Sequence, residues 1–152
     1  MSTILPLNVG DKSTATALAA DLGKQWEVEG VTYILLQAAA ALTAPAGLFV
    51  LWHTTANKTG ALAGAAAVRS TVAALVPSTV AGNIAIGDYF LGIRGGWATA
   101  TYANATAANA YVAVHAAGVD DATVTQPTTV GQSQVAVGAT GNARLRVILD
   151  AA

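Results

Sequence analysis

From Trp26 onward the chain alternates. Trp26-Glu27-Val28-Glu29 sets apolar residues against acidic ones with period two, the pattern of a half-exposed strand. Gly30 follows, and Thr32-Tyr33-Ile34-Leu35-Leu36 is a β-prone run. Thr43-Ala44-Pro45-Ala46-Gly47 reads as a turn, and Leu48-Phe49-Val50-Leu51-Trp52 as a second buried strand. The stretch from Gly60 to Ala85 admits two readings. Ala61 to Leu75 is Ala-rich enough for a helix ended by Pro77, with Val68, Val72 and Val76 four apart on one face. The same valines, with Val80, also fit short strands separated by small-residue loops, and both readings stay open.

Beyond Ile84 the β signals dominate. Asp88 to Arg94 predicts a strand, and Gly95-Gly96 a two-residue hairpin leading into a strand from Trp97 to Tyr102. Ala110 to His115 is another strand, ended by Gly118 and a turn at Asp120-Asp121. Val124-Thr125-Gln126 is a short strand stopped by Pro127, and Gln134 to Val137 and Arg144 to Leu149 close the chain. In the last strand Leu145, Val147 and Leu149 face one way, with Arg144, Arg146 and Ile148 on the other side. The expected fold is all-β, a small antiparallel β-barrel or β-sandwich with at most one short helix. Residues 1–16, with Pro6, Gly10 and the polar run Asp11-Lys12-Ser13-Thr14, read as an extended or poorly ordered arm. A single domain over 17–152 follows, and removal of the arm is expected to leave it folded.

Composition narrows the function more than the fold. The 152 residues suffice for one domain that buries roughly 70% of its unfolded surface. Hydrophobic residues make up 54% and charged ones only 10%, which argues against disorder of the whole. Seven basic and eight acidic residues give a net charge of -1 with no basic stripe, so nucleic-acid binding is not expected. The absence of cysteine removes disulfides and thiolate chemistry. The N-terminus lacks the basic and apolar regions of a signal peptide. Tyr33 to Trp52 is uncharged and 20 residues long, but the turn at its centre favours two strands over a membrane helix.

Candidate chemistry is sparse. His53 and His115 have no carboxylate or second histidine at ligand spacing. Gly131-Gln132-Ser133-Gln134-Val135 lacks the second glycine of a nucleophile elbow and reads as a polar turn. Glu27 and Glu29 share a strand face, where they suit an acidic edge that blocks strand addition better than acid–base work. Asp120-Asp121 has no surrounding calcium-ligand spacing, and Gly92, Gly95 and Gly96 do not form a phosphate loop. Asn57-Lys58-Thr59 and Asn104-Ala105-Thr106 match the glycosylation pattern without a secretory signal to accompany it. Neither an enzymatic activity nor a cofactor or metal is expected. The residues singled out for contact with a partner are Trp52, Arg94 and Trp97, since Trp and Arg are enriched at interface centres.

Three segments, in order, carry a resemblance. Gly30-Val31-Thr32-Tyr33-Ile34-Leu35-Leu36-Gln37-Ala38-Ala39-Ala40-Ala41-Leu42-Thr43 resembles the "G-x-x-Y-x-x-x-x-A-x-x-A-L-T" opening of the small capsid decoration (cement) proteins of marine tailed bacteriophages. Ile86-Gly87-Asp88-Tyr89-Phe90-Leu91-Gly92-Ile93-Arg94-Gly95 is similar to their "G-D-Y-G-W-F-Q-V-x-G" strand, with Phe90-Leu91 where that family has Gly-Trp. Tyr111 to Ala122 is similar to "L-Y-T-x-A-x-A-G-x-L-D-D-A", with His115 and Ala116 replacing small hydroxyl residues. The resemblance spans roughly residues 17–150 and brings no catalytic residue with it. It implies a structural virion protein, made in the host cytoplasm and bound in many copies on the outside of the head. Its expected partners are the major capsid protein and further copies of itself, a trimer being one form. A tail or head-fibre component, or a carbohydrate-binding β module using Trp52 or Trp97, are the alternatives.

Overall fold

The computed structural model describes residues 4–115, 118–121 and 125–149, and these form a nearly all-β molecule. Eleven strands follow one another: β1 Lys12–Ser13, β2 Gln25–Val28, β3 Val31–Ala38, β4 Phe49–Trp52, β5 Lys58–Leu62, β6 Val72–Leu75, β7 Tyr89–Tyr102, β8 Tyr111–His115, β9 Gly118–Asp120, β10 Thr129–Ser133 and β11 Gly141–Ile148. Three 3-10 turns, Thr16–Asp21, Arg69–Thr71 and Gln126–Thr128, are the helical content of the described residues.

The strands close into two rings that share β7. Its first half, to Gly95, pairs with β3, and the circuit returns through β5, β4 and β6 to β7 at Leu75 opposite Ile93. Its second half, from Gly95, pairs with β11, and that circuit returns through β10, β8 and β9 to Tyr102 opposite Val119. Within each ring closure removes open sheet edges, which otherwise invite pairing with other chains, while β2, paired with β3 alone, stays at the margin.

Period-two burial fills each ring. Ile34, Leu36, Val50, Ala74 and Phe90 belong to the core of the first. Ala100, Tyr102, Val112, Val114, Val119, Val130, Leu145 and Val147 belong to the core of the second, which continues onto Phe49, Leu75 and Ile93. The last strand faces as its alternation predicts, with Leu145 and Val147 buried and Arg144 and Arg146 exposed.

Several local readings change. The open choice over Ala61 to Leu75 resolves to strands rather than a helix: Val72-Ala73-Ala74-Leu75 is buried on both sides, between two cores, where a helix would expose one face. Gly95-Gly96 is not a hairpin. The two halves of β7 do not pair with each other, because β3 and β11 each offer a longer partner and the strand runs straight through. The strand expected at Gln134 to Val137 lies earlier, at Thr129–Ser133, which places Gly131 to Ser133 on a strand and not in a loop. Gly118–Asp120, read as a turn, returns as β9. Of the short strand expected at Val124-Thr125-Gln126, Val124 lies outside the described residues and Gln126 opens a 3-10 turn.

The N-terminal stretch is extended but not detached. Leu5, Leu7 and Val9 pack with Leu18, Leu22 and Trp26 over Leu35, Tyr89 and Leu91, the outer face of the β3–β7 pair. Lys12 and Ser13 pair with Phe90 and Tyr89, and the Lys12 ammonium donates to the carbonyls of Ala81 (2.7 Å) and Asn83 (2.8 Å).

Candidate interaction surface

The three residues singled out from the sequence fall into two clusters joined by β7. Arg94 sits at the irregularity where the β3 register slips from Ile93 to Gly95. Its guanidinium donates to the Ala73 carbonyl of β6 and lies 5.6 Å from the ring centroid of Trp52 on β4. Both contacts face the first ring, so the Arg94–Trp52 pair is part of how that ring closes.

Trp97 belongs to the outer face of the second ring. It stands directly opposite Arg146, while Arg144, one pair further along β11, lies 5.6 Å from its ring centroid. At 39% exposure Trp97 is half-covered by this stacking and still open to a partner. Arg144 and Arg146 thus flank Trp97, and Arg94 and Arg146 line the groove beside it. Among the described residues neither Arg144 nor Arg146 has a carboxylate within ion-pair distance.

A shallow groove of about 400 Å³ lies beside this cluster, lined by Thr32, Arg94, Gly95, Trp97, Arg146 and Ile148 among others. The missing side chain of Gly95 makes the dent. Gly95 pairs with Thr32 on one side and Ile148 on the other, and a Cβ there would stand 3.4 Å from the Thr32 hydroxyl. The wall is the tight Glu29-Gly30 hairpin joining β2 to β3, with both residues at positive φ (52° and 78°). The groove thus presents two cations, an aromatic ring and bare backbone.

Several other polar groups bond to backbone or to each other. Asp120 is buried, accepts a 2.6 Å hydrogen bond from the Asn104 amide, and lies 4.0 Å from the His115 imidazole. The Asp121 carboxylate accepts from the Ala107 amide at 3.5 Å. Ser133 is buried and donates to the Ala107 carbonyl at 2.6 Å, and the Nδ1 of His53 accepts from the Thr55 amide. Among the described residues no three histidine or acidic side chains come together as a metal site. Glu27 and Glu29 lie exposed at the start of the sheet. Burial, with the Glu29 carboxylate nearby, raises the Tyr33 phenol above its usual range. Burial alone pushes Tyr102 up to about 12, and its hydroxyl donates to the Arg144 carbonyl at 3.0 Å.

Arg144 and Arg146 were not singled out from the sequence, although their alternation with Leu145 and Val147 already turned them outward. What puts them beside Trp97 is the β7–β11 register. No family model and no curated protein sequence matches the chain, so fold and surface carry the functional reading.

Proposed function

We propose that the protein is a non-enzymatic structural component of a tailed-phage virion. It binds in many copies to the major capsid protein on the outside of the head and stabilises the expanded shell. The observation that carries this reading is the double closure around β7. A protein crowded onto a lattice must present side-chain surfaces without lending strand edges to its neighbours; two closed rings favour that, and the one-sided strand β2 carries exposed Glu27 with Glu29 just beyond it. Small side chains suit the role as well, since ordering long ones costs up to about 2 kcal/mol each. Many modest contacts then add into durable attachment.

Trp52 and Trp97 each have a face stacked with an arginine, which favours protein contact over sugar stacking. Mass spectrometry of purified virions with copy counting tests the reading. Copies in a fixed, large ratio to the major capsid protein are expected; absence from the head, or a handful of copies at the tail, would overturn it.

A further inference from the structure

One row of outward side chains crosses the second ring. Trp97 stands opposite Arg146, Arg146 opposite Gln132, and Gln132 opposite Tyr111, each pair on antiparallel neighbours. Directly opposed residues of such neighbours point to the same side, so all four share the outer face of the wall β7–β11–β10–β8. Val112, Leu145 and Val147, beside them in sequence, turn into the ring core. Adjacent strands lie about 4.8 Å apart, so the row holds an aromatic ring at each end of a span of roughly 14 Å. Residues 97–115 and 125–149 contain no aspartate or glutamate, and Asp120 on β9 is buried against the Asn104 amide. The guanidiniums of Arg144 and Arg146 thus face outward on a wall whose own strands carry no counter-charge. The polar groups are also held in place. Arg144 stacks on Trp97, and the Gln132 amide nitrogen donates to the Asn109 carbonyl at 3.1 Å, which leaves its oxygen to accept. Tyr111, 57% exposed, has no cation over its ring among the described residues.

We propose that this wall is a binding site for an acidic polysaccharide, a chain of sugar rings bearing carboxylates, laid across the strands along the row. Arg146 and Arg144 pair with the sugar carboxylates, which match the planar fork of a guanidinium. Gln132 meets sugar hydroxyls, and the open face of Tyr111 packs on the C–H face of one sugar ring. Trp97, with one face already taken by Arg144, orients that guanidinium instead of stacking a sugar. Charge complementarity favours an acidic glycan over a neutral one, against which two guanidiniums would lose water without gaining a partner. An extended peptide is disfavoured, because each strand of the wall is paired on both sides and offers it no backbone edge. Single-stranded nucleic acid calls for a longer basic track than two arginines on a chain of net charge -1. The site stands apart from the virion address and is tested on the purified chain, so either reading can fail alone.

Surface plasmon resonance over immobilised polygalacturonate reads the binding, with dextran, polyglutamate and oligothymidylate as parallel surfaces. The full chain is expected to be retained more strongly by polygalacturonate than by any of the other three. Arg146→Gln and Tyr111→Ala are each expected to weaken binding about ten-fold, as loss of one charge-assisted or stacking contact does. Tyr111→Phe keeps the ring and is expected to bind like the wild type. Arg69→Gln, an equal loss of charge on the turn Arg69–Thr71, is expected to leave binding unchanged. Circular dichroism and melting temperature of each variant check the fold, and lost binding at an unchanged melting temperature separates contact from structure. Raised salt is expected to weaken the wild-type binding. Polygalacturonate that fails to bind at millimolar sugar concentration would overturn the proposal. So would equal or stronger retention by dextran, polyglutamate or oligothymidylate, or Arg146→Gln and Tyr111→Ala chains that bind normally.

Discussion

Arg94 holds its guanidinium against the Trp52 ring while donating to the Ala73 carbonyl, so one side chain ties β7 to both β4 and β6. The ladder between β6 and β7 has a single paired position, Leu75 with Ile93. The side chain therefore completes a closure that the backbone leaves thin.

Arg94→Ala is expected to lower unfolding free energy by about 2–3 kcal/mol, combining a charged hydrogen bond with a cation–π contact. Arg94→Lys should recover part of this, since an ammonium can reach a carbonyl but cannot stack a plane. Urea unfolding measures both. In a double-mutant cycle with Trp52→Ala, a coupling near zero would show that the two residues do not act together.

Neighbouring glycines on β7 should respond in opposite ways. Gly96 has φ +89°, and a Cβ there would collide with the Gly30 carbonyl oxygen of the hairpin wall. Gly96→Ala is expected to cost about 3 kcal/mol or more, because backbone conformation and space both exclude it. At Gly95 φ lies outside the left-handed region, and a Cβ would meet the Thr32 hydroxyl at 3.4 Å. Gly95→Ala is expected to change stability by less than about 1 kcal/mol while filling the groove. Paired thermal melts decide the matter, and equal losses would refute the distinction.

Truncation of residues 1–16 is expected to destabilise the domain, contrary to what the polar run Asp11-Lys12-Ser13-Thr14 suggests. It strips Leu5, Leu7 and Val9 from Leu35, Tyr89 and Leu91 and removes the β1 pairing with β7. Three partly buried apolar side chains put the loss at about 3 kcal/mol. For a chain of this size that is a fall of roughly 6–12 °C in Tm. Calorimetry of the shortened chain checks it; an unchanged Tm would mean that the stretch contributes nothing to folding.

Tyr102 makes stability fall at high pH. Its folded pKa of about 12 lies above the ordinary tyrosine value of 10.0, so between those values the folded state keeps a proton that the unfolded state has lost. The contribution is complete below about pH 10 and is lost as pH rises through the folded value, to the extent of about 2 kcal/mol. Tyr102→Phe should remove this part of the alkaline decline while costing about 1 kcal/mol at neutral pH for the lost bond to the Arg144 carbonyl. Unfolding curves from pH 8 to 12 on both chains make the comparison.

Strand content was legible wherever apolar runs or strict alternation were long, as in β3, β4 and β11. What failed was partnership. Gly95-Gly96 has the composition of a hairpin, and only the availability of β3 and β11 keeps β7 running through it. Gly131 to Ser133 read as part of a polar turn, yet they lie on a strand between β8 and β11, where a Cβ on Gly131 would press on the Arg146 carbonyl at 2.6 Å. The period-two spacing of Leu5, Leu7 and Val9 was present in the sequence but masked by Pro6 and Gly10. Trp97 was singled out by residue type and lies exposed, whereas its neighbours Arg144 and Arg146 depend on a register between strands distant in sequence. Arg94 was chosen for its type, and tertiary structure commits it to ring closure.

A strand that serves as the common wall of two rings has a mechanical consequence. Tension applied to one ring reaches the other chiefly through β7, whose long ladders with β3 and β11 lie along the pull and are loaded in shear, with the Ala66–Val114 backbone hydrogen bond as a lesser tie. Many bonds must then yield together instead of unzipping one at a time. The two rings are thus plates held by one common rivet, and the chain resists stretching largely as one body.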